Sequence, residues 1–409
     1  MQQGSISLFL IFFFVIQMVL TCFSLYLLRK WSSYYKSKKF SVFYLASSAI
    51  SFIIIVFTKR LPFSPENNGA VILEFLGLLG HSIVVFVAIM SVVLIILHIC
   101  RFFAKIIFNK DKNEAKENST NVISRRSFLK QSIVFLPFAS LLISFKGIFG
   151  GNSEIVLNRV KVKIKTLPSG LNNFKIAQFS DVHLGAYFKL DKLEKIINMA
   201  EEEKPDILII TGDLVDDMSL LPEALKKIEA FAANLPCKAY FCYGNHEYFK
   251  NMKAIINEFS KCPSIYVLKN ESDNFVYNGA SVNVLGVDYP FYNRYDNIKT
   301  PEEKYGFREK FLEKAVKSAS ADGFNILLSH HSDFLENAFN HDIKLTFAGH
   351  THGGQISFLN QVLLPIKFKY MRGSYIEKDC FGYVNTGAGH WFPCRINCPA
   401  EVTVFTITT

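Results

Sequence analysis

Two kinds of apolar pattern divide this chain. In the first 150 residues the apolar runs are long: Ser5 to Leu28, Phe40 to Phe57, and a third within Val71 to Cys100. They match the length of about 20 residues that a helix needs to cross a bilayer. After residue 150 the runs are short and alternate with amphipathic stretches. Strands are predicted at Lys175–Phe179, Ile207–Thr211, Ala239–Tyr243, Ile326–Ser329 and Leu345–Phe347. Helices are predicted at Leu190–Glu203, Leu221–Asn234, Met252–Phe259 and Phe311–Lys317. In the first of these, Leu193, Ile196, Ile197 and Ala200 share one face. Residues 264–290 read as hairpin strands, and the end is β-rich, including Val402–Ile407. Strands rich in Ile, Leu, Val and Phe without alternation are buried on both faces. The second half is therefore α/β, and the domain boundary falls near residue 150.

Charge follows the same division. The chain of 409 residues carries a formal net charge of +10. Residues 1–150 hold 16 Lys and Arg against 5 Asp and Glu, which leaves 29 against 30 for residues 151–409. The basic excess belongs wholly to the apolar half, which disfavours nucleic acid as a partner of the other half. Within the apolar half, residues 29–39 carry Arg29, Lys30, Lys36, Lys38 and Lys39, and the loop from Arg101 to Lys130 is also basic. The loop at 59–70 carries only Lys59, Arg60 and Glu66. By the positive-inside rule the two basic loops face the cytoplasm and the amino end lies outside. Ser124 to Lys130, SRRSFLK, resembles the twin-arginine export motif and precedes a further apolar run, Ser132 to Phe145. The alternative is two arginines flanking a fourth helix. Either reading makes about four crossings and puts the second half outside the cytoplasm.

Chemistry concentrates where the short strands end. The runs FKIAQFSDVHLG, DILIITGDLVDD, AYFCYGNHE, NILLSHHSD and KLTFAGHTHGG each close on acids and histidines. Six of the ten histidines fall there: His183, His246, His330, His331, His350 and His352. Asp181, Asp213, Asp216 and Asn245 stand among them. Oxygen and imidazole ligands brought from several strand ends to one place describe a metal site, and ligands of open α/β sheets collect at those carboxyl ends. Singly, each motif is weak: Asp-x-His arises by chance, Gly-Asp-Leu is often a turn, and Asn-His can cap a helix. The joint, ordered set carries the signal.

That ordered set, Asp181-Val182-His183, Gly212-Asp213-Leu214-Val215-Asp216, Gly244-Asn245-His246-Glu247, His330 and Gly349-His350-Thr351-His352, resembles the calcineurin-like metallophosphoesterase family over roughly residues 174–390. The tail Pro393 to Glu401 is similar to the bacterial membrane-anchored branch that includes YkuE-like and YaeI-like proteins. The resemblance implies a four-layer fold, two packed mixed sheets flanked by helices. It implies two divalent metal ions, of the kind of Mn, Fe, Zn or Co. Asp181, His183, Asp213 and His352 would hold one, and Asp213, Asn245, His330 and His350 the other, with Asp213 bridging. It implies hydrolysis of phosphodiesters or phosphomonoesters by attack of metal-bound hydroxide. His246 would then assist the leaving group, and Asp216 would orient His246.

Several residues stay outside this scheme. His331 is expected to be substrate-facing or structural. His341 is expected on a surface helix, and His81 and His98 in packing within the membrane helices; the role of His390 is open. Cys394 and Cys398 are close enough in sequence to pair outside the cytoplasm. The expected substrate is a phosphate ester, with lipid and cell-envelope esters among the candidates. A lipid-precursor pyrophosphatase of the UDP-diacylglucosamine type shares the motifs but needs a cytoplasmic site. A catalytically inactive membrane receptor or scaffold is the rival of another class.

Overall fold

The computed structural model describes residues 2–60, 68–108, 125–151, 154–294, 297–358, 361–363, 368–390 and 392–409. The loop at 109–123, Ser124 of the arginine motif and Trp391 lie outside them, and the side chains of Arg125 to Lys130 are likewise not described. The chain divides into two compact units, Met1–Gly150 and Gly151–Thr409.

The first unit is helical: α1 (Gln2–Trp31), α2 (Lys38–Arg60), α3 (Asn68–Phe108) and α4 (Arg125–Phe145). Among the described residues, four spans within it are long and apolar enough to cross a membrane: Ile11–Trp31, Lys38–Thr58, Ile72–Phe103 and Ile133–Gly150. Large apolar side chains such as Phe12, Val19, Phe43 and Ile53 point outward. Polar groups turn inward and join helices. Gln17 donates to the Ser48 carbonyl at 2.8 Å and to the Ser51 hydroxyl at 3.1 Å, and the Thr21 and Ser48 hydroxyls meet at 2.7 Å. Outside water, such bonds tie one helix to the next where apolar packing alone has little preference for protein over lipid. The length and composition of these helices suggest a membrane protein.

The second unit is built on two six-stranded mixed sheets. Its strands are β1 (Ile155–Lys163), β2 (Phe174–Phe179), β3 (Ile207–Ile210), β4 (Ala239–Cys242), β5 (Ile265–Leu268), β6 (Glu271–Tyr277), β7 (Ala280–Gly286), β8 (Phe324–Leu328), β9 (Leu345–Ala348), β10 (Ser357–Phe358), β11 (Gln361–Val362), β12 (Gly373–Glu377), β13 (Cys380–Val384) and β14 (Ala400–Thr408). One sheet runs β1-β14-β2-β3-β4-β5 and the other β12-β13-β9-β8-β7-β6; β10 and β11 form a separate ribbon. In each sheet the central strands are parallel, β2 through β5 in the first and β7, β8, β9 and β13 in the second. Helices α5 (Leu190–Glu201), α6 (Leu221–Ala232), α7 (Met252–Phe259), α8 (Pro301–Lys317) and α9 (Phe334–Asn340) complete the unit.

The core shows the layering. Ile176, Ile209, Tyr240 and Phe405 of the first sheet pack with Val282, Ile326, Phe347 and Phe381 of the second. On its other face the first sheet offers Ala177, Leu208, Ile210 and Phe241 to Ile196 of α5, Leu225 and Ile228 of α6, and Ile255 of α7. The second sheet offers Leu285 and Leu327 to Leu312 of α8 and Phe334 of α9. Four layers follow, helices, sheet, sheet, helices, as expected. Because the central strands are covered on both faces, their lengths are mainly apolar, and among the few buried polar side chains within them Gln178 donates to the Thr211 hydroxyl and the Ala348 carbonyl.

Strand β1 was not predicted, and two other regions differ from the sequence reading. Helix α8 starts at Pro301, ten residues before the predicted start. Its entry is a capping box in which Thr300 accepts from the Glu303 amide while Glu303 accepts from the Thr300 amide. Residues 264–290 hold one hairpin, β6–β7, whereas β5 pairs in parallel with β4 in the other sheet.

Candidate metal centre

Strands β2, β3 and β4 of one sheet and β8 and β9 of the other end at one place. Asp181 and His183 follow β2, Asp213 and Asp216 follow β3, and Asn245 and His246 follow β4. His330 follows β8, and His350 and His352 follow β9. Backbone bonds lace these ends together. The amides of Asp181 and His183 donate to the carbonyls of Gly212 and Asp213 at 3.0 Å each. The Asp181 carboxylate then reaches across the sheets to accept the His350 amide at 2.9 Å.

Among the described residues the side chains converge in three overlapping groups, of which His183, Asp216 and His246 form one and the proposed ligands form the other two. Asp181, His183 and His352 bring ligand atoms within 4.8 Å of one another, and so do Asp213, His330 and His350. Asn245 joins the second group, with its Oδ1 3.2 Å from His330 Nε2. Asp213 Oδ2 lies between the groups, 3.7 Å from His183 Nε2 and 3.2 Å from His330 Nε2. All seven residues proposed from sequence as ligands thus stand together.

Three observations fit these residues to cations. First, imidazole nitrogens face each other, His183 Nε2 to His352 Nε2 at 3.1 Å and His350 Nδ1 to His330 Nε2 at 3.1 Å. Such lone pairs converge without conflict around a shared cation. Second, the opposite nitrogen of the His330 ring is bonded, and that of His183 is approached by a carboxylate, as suits ligating histidines. His330 Nδ1 lies 2.7 Å from the Thr211 carbonyl and His183 Nδ1 lies 3.2 Å from Asp216 Oδ2, which leaves each Nε2 to point inward. Third, the charge balance asks for positive charge at the centre. Burial opposes a charge on His330, but Asp213 and Asp181 beside it push its imidazole up to about 10. Burial and the nearby His330 push His350 down to about 3. Burial also works against the Asp213 carboxylate, yet His330, His183 and His246 together hold it well below the usual carboxylate range.

The backbone is strained to make this cluster. Asp181, His183, Asp213, His350 and His352 all adopt positive φ, between 48° and 73°. Five of seven proposed ligands share a conformation that side-chain-bearing residues rarely adopt, and such strain gathers at functional sites. Two glycines make room. A Cβ on Gly244 would sit 2.1 Å from Asp213 Oδ1, and one on Gly349 would sit 1.9 Å from Ser180 Oγ.

His246 stands beside the cluster, its ring 4.4 Å from that of His183. Its Nδ1 lies 2.6 Å from Asp216 Oδ1, and its amide donates to Asp213 Oδ1 at 2.8 Å. Asp216 therefore braces two rings, His183 through Oδ2 and His246 through Oδ1.

The structure adds residues that the sequence reading passed over. Glu247 is fully buried and accepts three amides: Asp213 at 3.0 Å, Leu214 at 2.7 Å and Gly244 at 2.8 Å. It pins the turn after β3 to the turn after β4. The acid in Gly-Asn-His-Glu was visible, but nothing in the string showed three donors waiting for it. Arg395 is buried and donates to the carbonyls of Thr386, Gly387 and Gly389, shaping the loop that passes Asp181 and His352. Tyr289 places its hydroxyl 3.1 Å from His350 Nε2. His331 is buried and stacks on His350 at 5.5 Å. His390 is buried beside Tyr187. His341 caps the end of α9 and bonds Glu309. Cys394 and Cys398 are both free thiols, and Cys398 donates to the His352 carbonyl at 3.3 Å.

Residues 174–354 match the calcineurin-like phosphoesterase family. The chain carries a calcineurin-like phosphoesterase domain. It is 28% identical over 302 residues to the uncharacterized metallophosphoesterase YkuE of Bacillus subtilis, across 70% of this chain and 98% of that protein. It is 29% identical to a Bos taurus transmembrane protein with metallophosphoesterase domain, across 64% of this chain and 59% of that protein, less than two thirds of its length. Among solved structures it is similar to a dimetal phosphatase from Danio rerio, with 10% identity, a TM-score of 0.31, and coverage of 53% of this chain and 88% of that one.

Proposed function

We propose that this membrane protein is a phosphoester hydrolase whose domain at 151–409 works with two divalent cations. Asp181, His183, Asp213 and His352 would hold one, and Asp213, Asn245, His330 and His350 the other. The observation that carries this reading is Asp213 Oδ2, which lies within 3.7 Å of an imidazole from each group. When bound, such a pair supplies Lewis acidity toward phosphoryl oxygens and makes water a nucleophile near neutral pH.

The chain's own residues do the rest. His246, held by Asp216 on Nδ1, would use its other ring nitrogen, Nε2, to donate a proton to the departing ester oxygen. Asp216 would keep the tautomer that makes this possible. Glu247 would hold Asp213 and Asn245 in register. Direct in-line displacement needs no side-chain nucleophile, and this constellation contains no Ser-His or Cys-His pair arranged to provide one.

The test is a panel of phosphomonoesters and phosphodiesters, assayed with the purified full chain and with manganese, iron, zinc or cobalt. Hydrolysis of at least one ester class, abolished by chelation and restored by a divalent ion, supports the reading. Inactivity toward every ester with every metal, at full metal content, would leave the inactive-scaffold reading in its place.

Sidedness belongs to the same proposal. The basic loops at 29–39 and 101–130 support a topology with the domain at 151–409 outside the cytoplasm. A reporter active only when exported should work when fused after Gly151 and fail after Asn118. The reverse pattern would favour a cytoplasmic lipid-precursor pyrophosphatase.

A further inference from the structure

An aromatic strip borders the site on the side of His246. Phe249 closes the short helical turn after β4, and its ring lies 5.5 Å from that of His246. Phe291, in the segment after β7, lies 6.5 Å from Phe249 and 4.7 Å from Tyr289. Tyr289 lies 5.2 Å from His350. The strip thus runs from the proposed proton donor to a proposed ligand, and it joins residues that follow strands of different sheets. Phe249 is 63% exposed, although it neighbours a buried polar cluster. Arg294 sets its guanidinium 3.9 Å from the centre of the Phe291 ring, and Lys250 Nζ lies 3.7 Å from Asp216 Oδ1.

An exposed phenylalanine needs no explanation by itself. Its position supplies one here. Whatever ester oxygen takes a proton from His246 carries its substituent away from the metals, past the groups beside His246. The groups that line this path include the faces of Phe249 and Phe291, and against Phe291 lies the planar guanidinium of Arg294. Ring faces and guanidinium planes both stack on flat π-systems. An aliphatic chain would gain only area from them.

We propose that Phe249, Phe291 and Arg294 form a leaving-group subsite that receives a planar aromatic substituent of the phosphate ester. The proposal rests on the reading of His246 as the leaving-group donor. Phe249 would stack against the departing ring, Phe291 would fix the far edge of the subsite, and Arg294 would hold Phe291 in place while presenting its own plane.

The test compares benzyl and cyclohexylmethyl esters, both of phosphate and of methyl phosphate, because these leaving groups are close in bulk and basicity but only one is flat and aromatic. The full chain in detergent with manganese(II) should favour the benzyl esters in kcat/KM. Phe249→Ala should lose about five- to ten-fold on benzyl esters, chiefly through KM. It should lose little on cyclohexylmethyl esters, and Phe249→Tyr should retain the preference. Equal losses on both esters would show that Phe249 only packs against His246 and would overturn the proposal. So would a wild-type enzyme that hydrolyses both esters equally or prefers the cyclohexylmethyl one, with the phosphoesterase reading left intact. Absence of hydrolysis of every ester would bring down both.

Discussion

The two units arrange the same kinds of residue in opposite ways. Among the described residues of the helical unit, large apolar side chains such as Phe12, Val19, Phe43 and Ile53 face outward, and hydroxyls and amides such as Gln17, Ser48 and Ser51 are buried between helices. In Gly151–Thr409 the interior of both sheets is apolar, and buried acids and imidazoles gather at the strand ends. Many buried polar groups of the helical unit find partners within it: Ser24 meets Tyr44 at 2.9 Å, and Ser91 donates to the Leu20 carbonyl at 3.2 Å. In the second unit imidazoles instead turn their ring nitrogens toward one another in two pairs, each at 3.1 Å. A buried polar group that finds its partner within the chain serves the fold. A cluster whose lone pairs converge on one another points to a ligand.

This contrast makes graded predictions. The largest effect short of the ligands is expected at His246. His246→Ala should keep its metals and lose roughly 10²–10⁴-fold in kcat, the usual span for general acid–base assistance. The defect should shrink for p-nitrophenyl esters, whose leaving group scarcely needs a proton. An equal defect on good and poor leaving groups would remove His246 from that role.

Glu247→Gln comes next. An amide cannot accept three backbone N–H groups in the geometry that a carboxylate offers, so the turns carrying Asp213 and Asn245 should loosen. Metal affinity should fall roughly 10- to 100-fold, as for other groups that support ligands from behind, and raising the metal concentration should restore rate. Unchanged affinity would show that the pin is dispensable.

The smallest effect is expected in the helical unit. Gln17→Leu removes the donor to Ser48 and Ser51 and should lower the stability of the helical unit by about 0.6 kcal/mol, the average for such bonds between membrane helices. Phosphoesterase activity should be unaffected. A loss of several kcal/mol would show that the polar contacts between α1 and α2 carry more than pairwise bonding.

Much of this was legible in the sequence because burial on both faces keeps most of a strand apolar and lets acids and histidines gather where it ends. The five acid- and histidine-bearing ends announced both the sheets and the cluster of proposed ligands. Other features left weak signals. Helix α8 was read short because Gly306 and a run of charged residues blur its apolar period, although Thr300-Pro301-Glu302-Glu303 spells out its start. Strand β1 was missed: its partner, β14, lies more than 200 residues away in sequence. The passage from β5 in one sheet to β6 in the other crosses only two residues and leaves no trace in the apolar pattern. Glu247 and Arg395 were visible as residues but not as hubs, since their partners are backbone groups, and any sequence supplies those.

The bridging carboxylate is the point on which the account turns. Elemental analysis of the purified full chain, beside Asp213→Asn prepared in the same way, tests it most directly. The account predicts about two divalent cations per chain in the natural protein, and in the variant a loss of most of that metal together with the activity. An Asp213→Asn protein with its full complement of metal and a normal rate would contradict it.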